Sequence, residues 1–407
     1  MASARPRGRR RIPRLLLAAA LVALGLVATA PARAEPAAHA LWDEAVALVQ
    51  AGEAAQAIPL LERLVTALPD VGAVRLELGL AYFLTGVDDK ARYHIARALT
   101  GELRETERAG AQELLARIEA RRTWALSFGL ALVPQTNTGR RTSAQTVTIG
   151  GLPFVLNESP DPGIGVTLSG RFVWLPRLAP ELRGRLVVSL GGSVYERSAL
   201  NDYTLRAEAG LLRRHGRADF GAGLAGAQRW VGDARYTHEL GVYGSAALRP
   251  DETRQLSLRL DLAQRKAPSR PAMEATLARL SLGAEQGISP RLSVYGRGFA
   301  TLTDAAVAHE SGRLLGVTLG ASYLFDGGWR TALEATASRD LRDGPAPLFG
   351  VTRRETELRL VGRLLNRQVQ VRGYAPVLEI GHERRRSTLP IAEFTNNFVS
   401  VGLERSF

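Results

Sequence analysis

Leu256-Ser257-Leu258-Arg259-Leu260-Asp261-Leu262-Ala263 is the stretch on which the fold turns. Four leucines alternate with serine, arginine, aspartate and alanine, so an extended chain here has one aliphatic face and one polar, charged face. The same period of two appears upstream. Trp124, Leu126, Phe128, Leu130 and Leu132 alternate with Ala125, Ser127, Gly129 and Ala131. Ile164, Val166, Leu168, Phe172 and Trp174 alternate with Gly165, Thr167, Ser169 and Arg171. Alternation kept up over about ten residues or more is how a strand shows one face to lipid and the other to a lumen.

The links between these segments carry a second signal. Short turns are expected at Pro176–Glu181, Arg214–Ala218, Arg249–Arg254, Gly287–Pro290, Asp326–Gly328 and Leu365–Arg367. Longer or polar links fall between them, at Pro134–Pro162, Arg197–Asp202, Gly232–Arg235, Lys266–Met273, Thr303–Gly312, Leu341–Phe349 and Gly381–Ala392. Thirteen links imply fourteen strands. Short turns at one end, longer loops at the other and an even strand count are the habit of outer-membrane barrels, with both barrel ends in the periplasm. The last strand, through Val399, Val401, Leu403 and Arg405, ends on Phe407 in phase with its apolar face. That ending resembles the signal read by the barrel assembly machinery. A soluble β-sandwich can also end in Phe, but it does not explain the loop asymmetry.

The N-terminus reads as an export signal. Arg5, Arg7, Arg9, Arg10, Arg11 and Arg14 precede an apolar run from Leu15 to Val27, and Ala32-Arg33-Ala34 supplies small residues for cleavage. The run is shorter than the ~20 residues of a spanning helix. The formal charge of +13 owes seven positives to this acid-free segment, leaving +6 on the rest. No concentrated basic patch invites nucleic acid. The sequence has no cysteine, which excludes a lipidated cysteine, disulfides and thiolate metal sites.

Between Leu41 and Leu103 the chain repeats with a period of 34 residues. Ala45, Leu48, Gly52, Ala57, Leu61 and Leu64 recur as Gly79, Tyr82, Gly86, Ala91, Ile95 and Ala98. That period is the tetratricopeptide signature. Gly52 and Gly86 fall where one helix turns into the next, and Pro69 closes the first repeat. Glu105 to Arg121 reads as a charged capping helix. The first helices of the two repeats place His39, Trp42, Val46, Val49, Leu76, Leu80 and Phe83 along one concave side. That side is either an apolar groove for a peptide or packing within the short array.

In the barrel, taking the apolar parity as lipid-facing assigns Arg171, Arg206, Glu208, Arg259, Asp261, Arg297, Arg353, Glu355, Glu357, Arg359 and Arg363 to the lumen. Arginine on a lipid face near the midplane costs about 2–4 kcal/mol, so the interior is its economical place. Mixed signs suit cross-strand ion pairs that brace the wall, the alternative being contact with a substrate.

Enzymatic motifs are missing. Gly221-Ala222-Gly223-Leu224-Ala225-Gly226 matches a dinucleotide pattern, but it sits within a strand and lacks the strand-turn-helix context. His39, His94, His215, His238, His309 and His382 are scattered, and no H-E-x-x-H or G-x-S-x-G occurs. The expectation is a non-enzyme without metal or cofactor.

One further set of residues is specific in its order: Pro134-Gln135-Thr136-Asn137, Tyr195 with Asn201-Asp202-Tyr203, Phe349-Gly350-Val351-Thr352-Arg353, Tyr374-Ala375-Pro376-Val377, Arg385-Arg386-Ser387, Asn397 and Gly402-Leu403-Glu404-Arg405-Ser406-Phe407. With these, the chain resembles the surface lipoprotein assembly modifier family. The resemblance implies a translocation factor that moves a client lipoprotein, or a related secreted protein, across the outer membrane. The expected class is α + β multidomain: a signal peptide (1–34), a periplasmic tetratricopeptide-like α-solenoid (35–121), and a 14-stranded antiparallel transmembrane β-barrel (122–407). A polysaccharide-export porin and a passive diffusion porin are the competing readings. Outer-membrane lipids, the client and the assembly machinery are the expected partners.

Overall fold

The computed structural model describes residues 35–121, 123–157, 159–325, 329–366, 369 and 374–406. The expected signal peptide, the turn at Asp326–Gly328 and the terminal Phe407 lie outside the described residues.

Five helices come first: α1 (Glu35–Gln50), α2 (Ala54–Ala67), α3 (Gly72–Leu84), α4 (Asp88–Ala98) and α5 (Glu105–Arg121). The recurring positions form their core. Ala45, Ala57, Leu61, Leu78, Ala91, Ile95 and Ala98 are wholly buried. Gly79 lies so close to Ile95 that a methyl group there would overlap it. Gly52 and Gly86 share a left-handed φ, 82° and 78°. The helix ends before them close in the same way. Glu53 N–H donates to the Leu48 carbonyl and Gly52 N–H to that of Val49; Val87 and Gly86 donate likewise to Tyr82 and Phe83. A left-handed residue between two such bonds favours glycine, which has no Cβ to clash.

Seventeen strands follow among the described residues. They are β1 (Trp124–Gln135), β2 (Thr146–Ile149), β3 (Leu152–Val155), β4 (Gly163–Trp174), β5 (Arg177–Ala179), β6 (Leu182–Tyr195), β7 (Asp202–His215), β8 (Ala218–Val231) and β9 (Ala234–Leu248). The series continues with β10 (Arg254–Lys266), β11 (Ala275–Gly287), β12 (Leu292–Ala305), β13 (Gly312–Leu324), β14 (Trp329–Pro345), β15 (Thr352–Asn366), β16 (Ala375–Ser387) and β17 (Phe394–Ser406). Strands β2 and β3 form a hairpin within the first long loop, and β5 is a short addition beside β6. The other fourteen pair antiparallel with their neighbours, and β17 pairs with β1, closing the barrel. No helix among the described residues is long and apolar enough to cross a membrane.

The exposure pattern is the inverse of a soluble protein. Leu256, Leu258, Leu260 and Leu262 are 44–48% exposed on the outside, while Asp261 between them is 8% exposed. Outward leucines and inward charges have a physical rationale only with lipid around the barrel.

Several links differ in length from the sequence expectation. Strand β16 runs on through Gly381 to Ser387, so the loop shortens to 388–393. Gly381 marks no strand end: it faces inward under the Phe398 ring of β17, and a side chain there would overlap that ring. Strand β14 likewise continues to Pro345 after a register shift beyond Leu341. At the turn end, Leu365 belongs to β15, which is described to Asn366, and the remainder of the expected Leu365–Arg367 turn lies outside the described residues. The hairpin β2–β3 had no counterpart in the sequence reading, because its strands are four residues each.

Ring-over-glycine contacts of this kind recur at Gly320 under Tyr295. A Gly381→Val substitution is expected to expel Phe398 and destabilise the barrel by about 1–3 kcal/mol. A lowered midpoint for loss of the compact band in a heat-modifiability gel is the measurement.

Candidate functional site

The helical array sits against the turn end of the barrel. Asp70, after α2, pairs with Arg291 in the β11–β12 turn at 2.5 Å. Gln112 of α5 donates to Glu252 in the β9–β10 turn at 2.6 Å. Arg92 and Ala116 line a cavity of about 430 Å³ together with Arg177, Arg183, Arg214, Asp219 and Arg249 of the barrel. A smaller gap brings Tyr82, Lys90 and Tyr93 against Leu324, Phe325 and Leu365. There the Tyr82 hydroxyl donates to Glu62, and Lys90 approaches the same carboxylate at 3.7 Å. Burial and that carboxylate together push the Tyr82 phenol well above its ordinary value, so it stays protonated. These contacts and shared cavities are spread around the turn end, from β5 and β7 through the β9–β10 and β11–β12 turns to the ends of β13 and β15, so the array lies over the mouth.

The expected groove residues occupy a graded position on this array. Val49 belongs to the buried core, Trp42, Leu76, Leu80 and Phe83 pack half-buried against that core, Val46 is half-buried, and His39 is exposed. Val49 has therefore no surface to offer a ligand.

Inside the barrel, strand register puts all eleven sequence-nominated charges on the inward face. Four of them form one closed cluster. Arg206 Nε donates to Glu208 at 3.0 Å and its Nη2 to Asp261 at 2.7 Å; Arg259 donates to the same two carboxylates at 2.9 and 2.7 Å. Strands β7 and β10 are not neighbours. The side chains meet because the intervening β8 and β9 turn Gly223, Ala225 and Gly241 inward beneath them. Tyr243 fills the remaining floor, with the Arg259 guanidinium 4.4 Å above its ring. On the opposite wall Arg353 reaches Glu355 at 3.7 Å, Arg385 reaches Glu357 at 2.6 Å, Arg359 reaches Glu383 at 2.9 Å, and Arg363 bridges Glu379 and Glu404. Arg171 and Arg297 form no ion pair among the described residues. Nor does any group of three or more His, Asp or Glu there suit a metal ion.

The loop end holds a network that sequence reasoning missed as a unit. Asn396 Nδ2 donates to Gln135 at 2.9 Å, and Gln135 Nε2 donates to the Tyr195 hydroxyl at 3.0 Å. Tyr195 N–H donates to Asn201, whose Nδ2 donates to Asp233. Asn137 is fully buried; its backbone N–H donates to Asn396 Oδ1 and its Nδ2 donates to the carbonyls of Arg141 and Thr395. It thereby pulls the first loop inward, where Arg140 meets Glu383 at 3.2 Å. Gln135, Asn137, Tyr195 and Asn201 are the residues whose order carried the family resemblance. Only their separation in sequence hid that they touch.

A family model for surface lipoprotein assembly modifiers matches residues 124–407, the whole of this barrel with its network. The chain belongs to the surface lipoprotein assembly modifier family. The match covers the barrel and not the helical array that precedes it. The sequence matches no curated protein. Solved structures similar to this family member include the outer membrane channel DcaP of Acinetobacter baumannii, at 10% identity over 70% of this chain and 96% of that one, TM-score 0.43. A Pseudomonas aeruginosa FadL homologue is 10% identical over 70% and 89%, TM-score 0.36. The P. putida toluene transporter TodX is 12% identical over 70% and 90%, TM-score 0.39.

Two outcomes are expected of this modifier. Glu208→Ala leaves Arg206 and Arg259 short of a carboxylate and should cost about 3–5 kcal/mol, read as a lower urea midpoint for the folded barrel in detergent. Arg291→Glu should loosen the array and hasten proteolysis of residues 35–121 in the folded protein. Combining it with Asp70→Arg restores the pair, and protection should return.

Proposed function

We propose that this chain is an outer-membrane translocation factor that delivers a client lipoprotein, or a secreted protein, to the cell surface. Residues 1–34 are its cleaved export signal, residues 35–121 form a tetratricopeptide-like domain in the periplasm, and residues 122–407 are the barrel. The observation that carries this reading is the array lying over the turn end of the barrel, where anything entering the lumen meets it first. The client binds the half-buried strip of Trp42, Val46, Leu76, Leu80 and Phe83, with His39 at its edge. The lumenal ion pairs then keep the wall rigid as the client passes or is organised for passage.

Catalysis plays no part in this scheme. The periplasm holds no ATP, so direction comes from folding or capture of the client outside. A passive porin has no use for a domain across its mouth. A polymer exporter is expected to line its path with one sign of charge, and both walls here mix signs.

The test is co-expression with neighbouring secreted or lipoprotein candidates, scored by protease accessibility on intact cells. One candidate should become exposed only when this chain is present. Val46→Glu, which charges the strip at a position outside the packed core, should reduce that exposure several-fold. Exposure of no candidate, together with steady conductance in planar bilayers, would refute delivery in favour of a porin.

A further inference from the structure

The outside of the barrel is not uniform at its loop end. On β7 and β8 the outward residues there are aromatic: Tyr203 stacks on Trp230 with ring centroids 5.2 Å apart. Such rings are the usual occupants of the lipid–water boundary. On β13–β16 the same position is arginine. Arg313, Arg339, Arg354, Arg384 and Arg386 all lie on the outward parity and all are exposed.

Register packs them closely. Arg313 and Arg354 flank Leu341 in one row across β13, β14 and β15. One rung nearer the membrane centre, Arg339 and Arg386 flank Thr356 across β14, β15 and β16. Arg384 pairs with Leu358 on the next rung. Two strand spacings, about 10 Å, separate the arginines of each row. Leu315, Leu341 and Leu358 border them on the same face, so the guanidinium groups sit at the edge of the apolar band. None of the five side chains has an ion pair or hydrogen bond among the described residues. The outward carboxylate of Asp304 lies on β12, at the margin of the sector.

Five unpaired cations at a lipid boundary require an anionic partner. Guanidinium pairs with phosphate in a two-pronged geometry, so that partner is a headgroup bearing phosphates. The geometry points to a binding site for the multiply phosphorylated glycolipid of the outer leaflet, lipopolysaccharide, on the outward face of β13–β16. Leucines between the arginines take the acyl chains, and the two rows take two phosphates of one headgroup. The inference rests on the loop end facing outward, as proposed above, and not on client delivery.

The experiment uses the full-length protein in non-ionic detergent and native mass spectrometry with added lipid A. Lipid A carrying both phosphates should bind, and the dephosphorylated form should bind much more weakly. The double variant R384Q/R386Q should lose roughly 25-fold in affinity, at about 1 kcal/mol per boundary arginine. R213Q, an outward arginine at the turn end, is the control and should bind as the parent does. Undiminished binding by R384Q/R386Q, or equal loss in R213Q, would overturn the site. Equal affinity for phosphatidylglycerol would overturn the outer-leaflet assignment. Loss of client exposure in the intact-cell assay leaves these measurements untouched, so the two proposals fail separately.

Discussion

The pairing of β17 with β1 is the contact that everything else in this chain requires. In hydrocarbon no water satisfies a free N–H or C=O, so a spanning sheet must have no edge. The register from Ser127 with Ser406 to Gln135 with Phe398 removes the last edge. The polar side chains gathered at this seam make sense in that light. Asn137, Asn396 and Gln135 bind β17, β1 and the first loop to one another at the loop end. Two of the residues that carried the family resemblance, Gln135 and Asn137, therefore sit where the two ends of the sheet meet.

Closure also sets what the interior must do. Charges confined to the inward face need partners, and partners on distant strands need room between them. Strands β8 and β9 provide it with glycine and alanine, and the Arg206–Glu208–Arg259–Asp261 cluster spans the gap. A buried cluster of this kind is costly to break and gives little net stability compared with an apolar replacement. Its value lies in fixing the wall's shape, since it ties together strands that are not neighbours.

The sequence disclosed the barrel because period-two alternation follows directly from strand geometry. The inward charges followed from the same parity. Strand β8 carries little of the period, since Gly221, Gly223 and Ala225 face inward with no polar side-chain atoms to mark it; the reason lies on β7 and β10. The link expected from Gly381 was misjudged because glycine marks both loops and ring contacts, and only the neighbouring Phe398 distinguishes them. The periodic small residues of the helices gave away their packing. No local pattern showed that Asp70 and Arg291 meet, since that contact joins surfaces 221 residues apart.

The array's seat has a consequence for the order in which the molecule is built. Its footprint is assembled from links that include the β9–β10, β11–β12 and β13–β14 turns, with Leu365 of β15 beside them. No single hairpin supplies enough of that surface to hold five helices. The array precedes every barrel strand in the chain, yet its full seat exists only once those distant links are in place. A seated array is therefore a mark of a closed barrel.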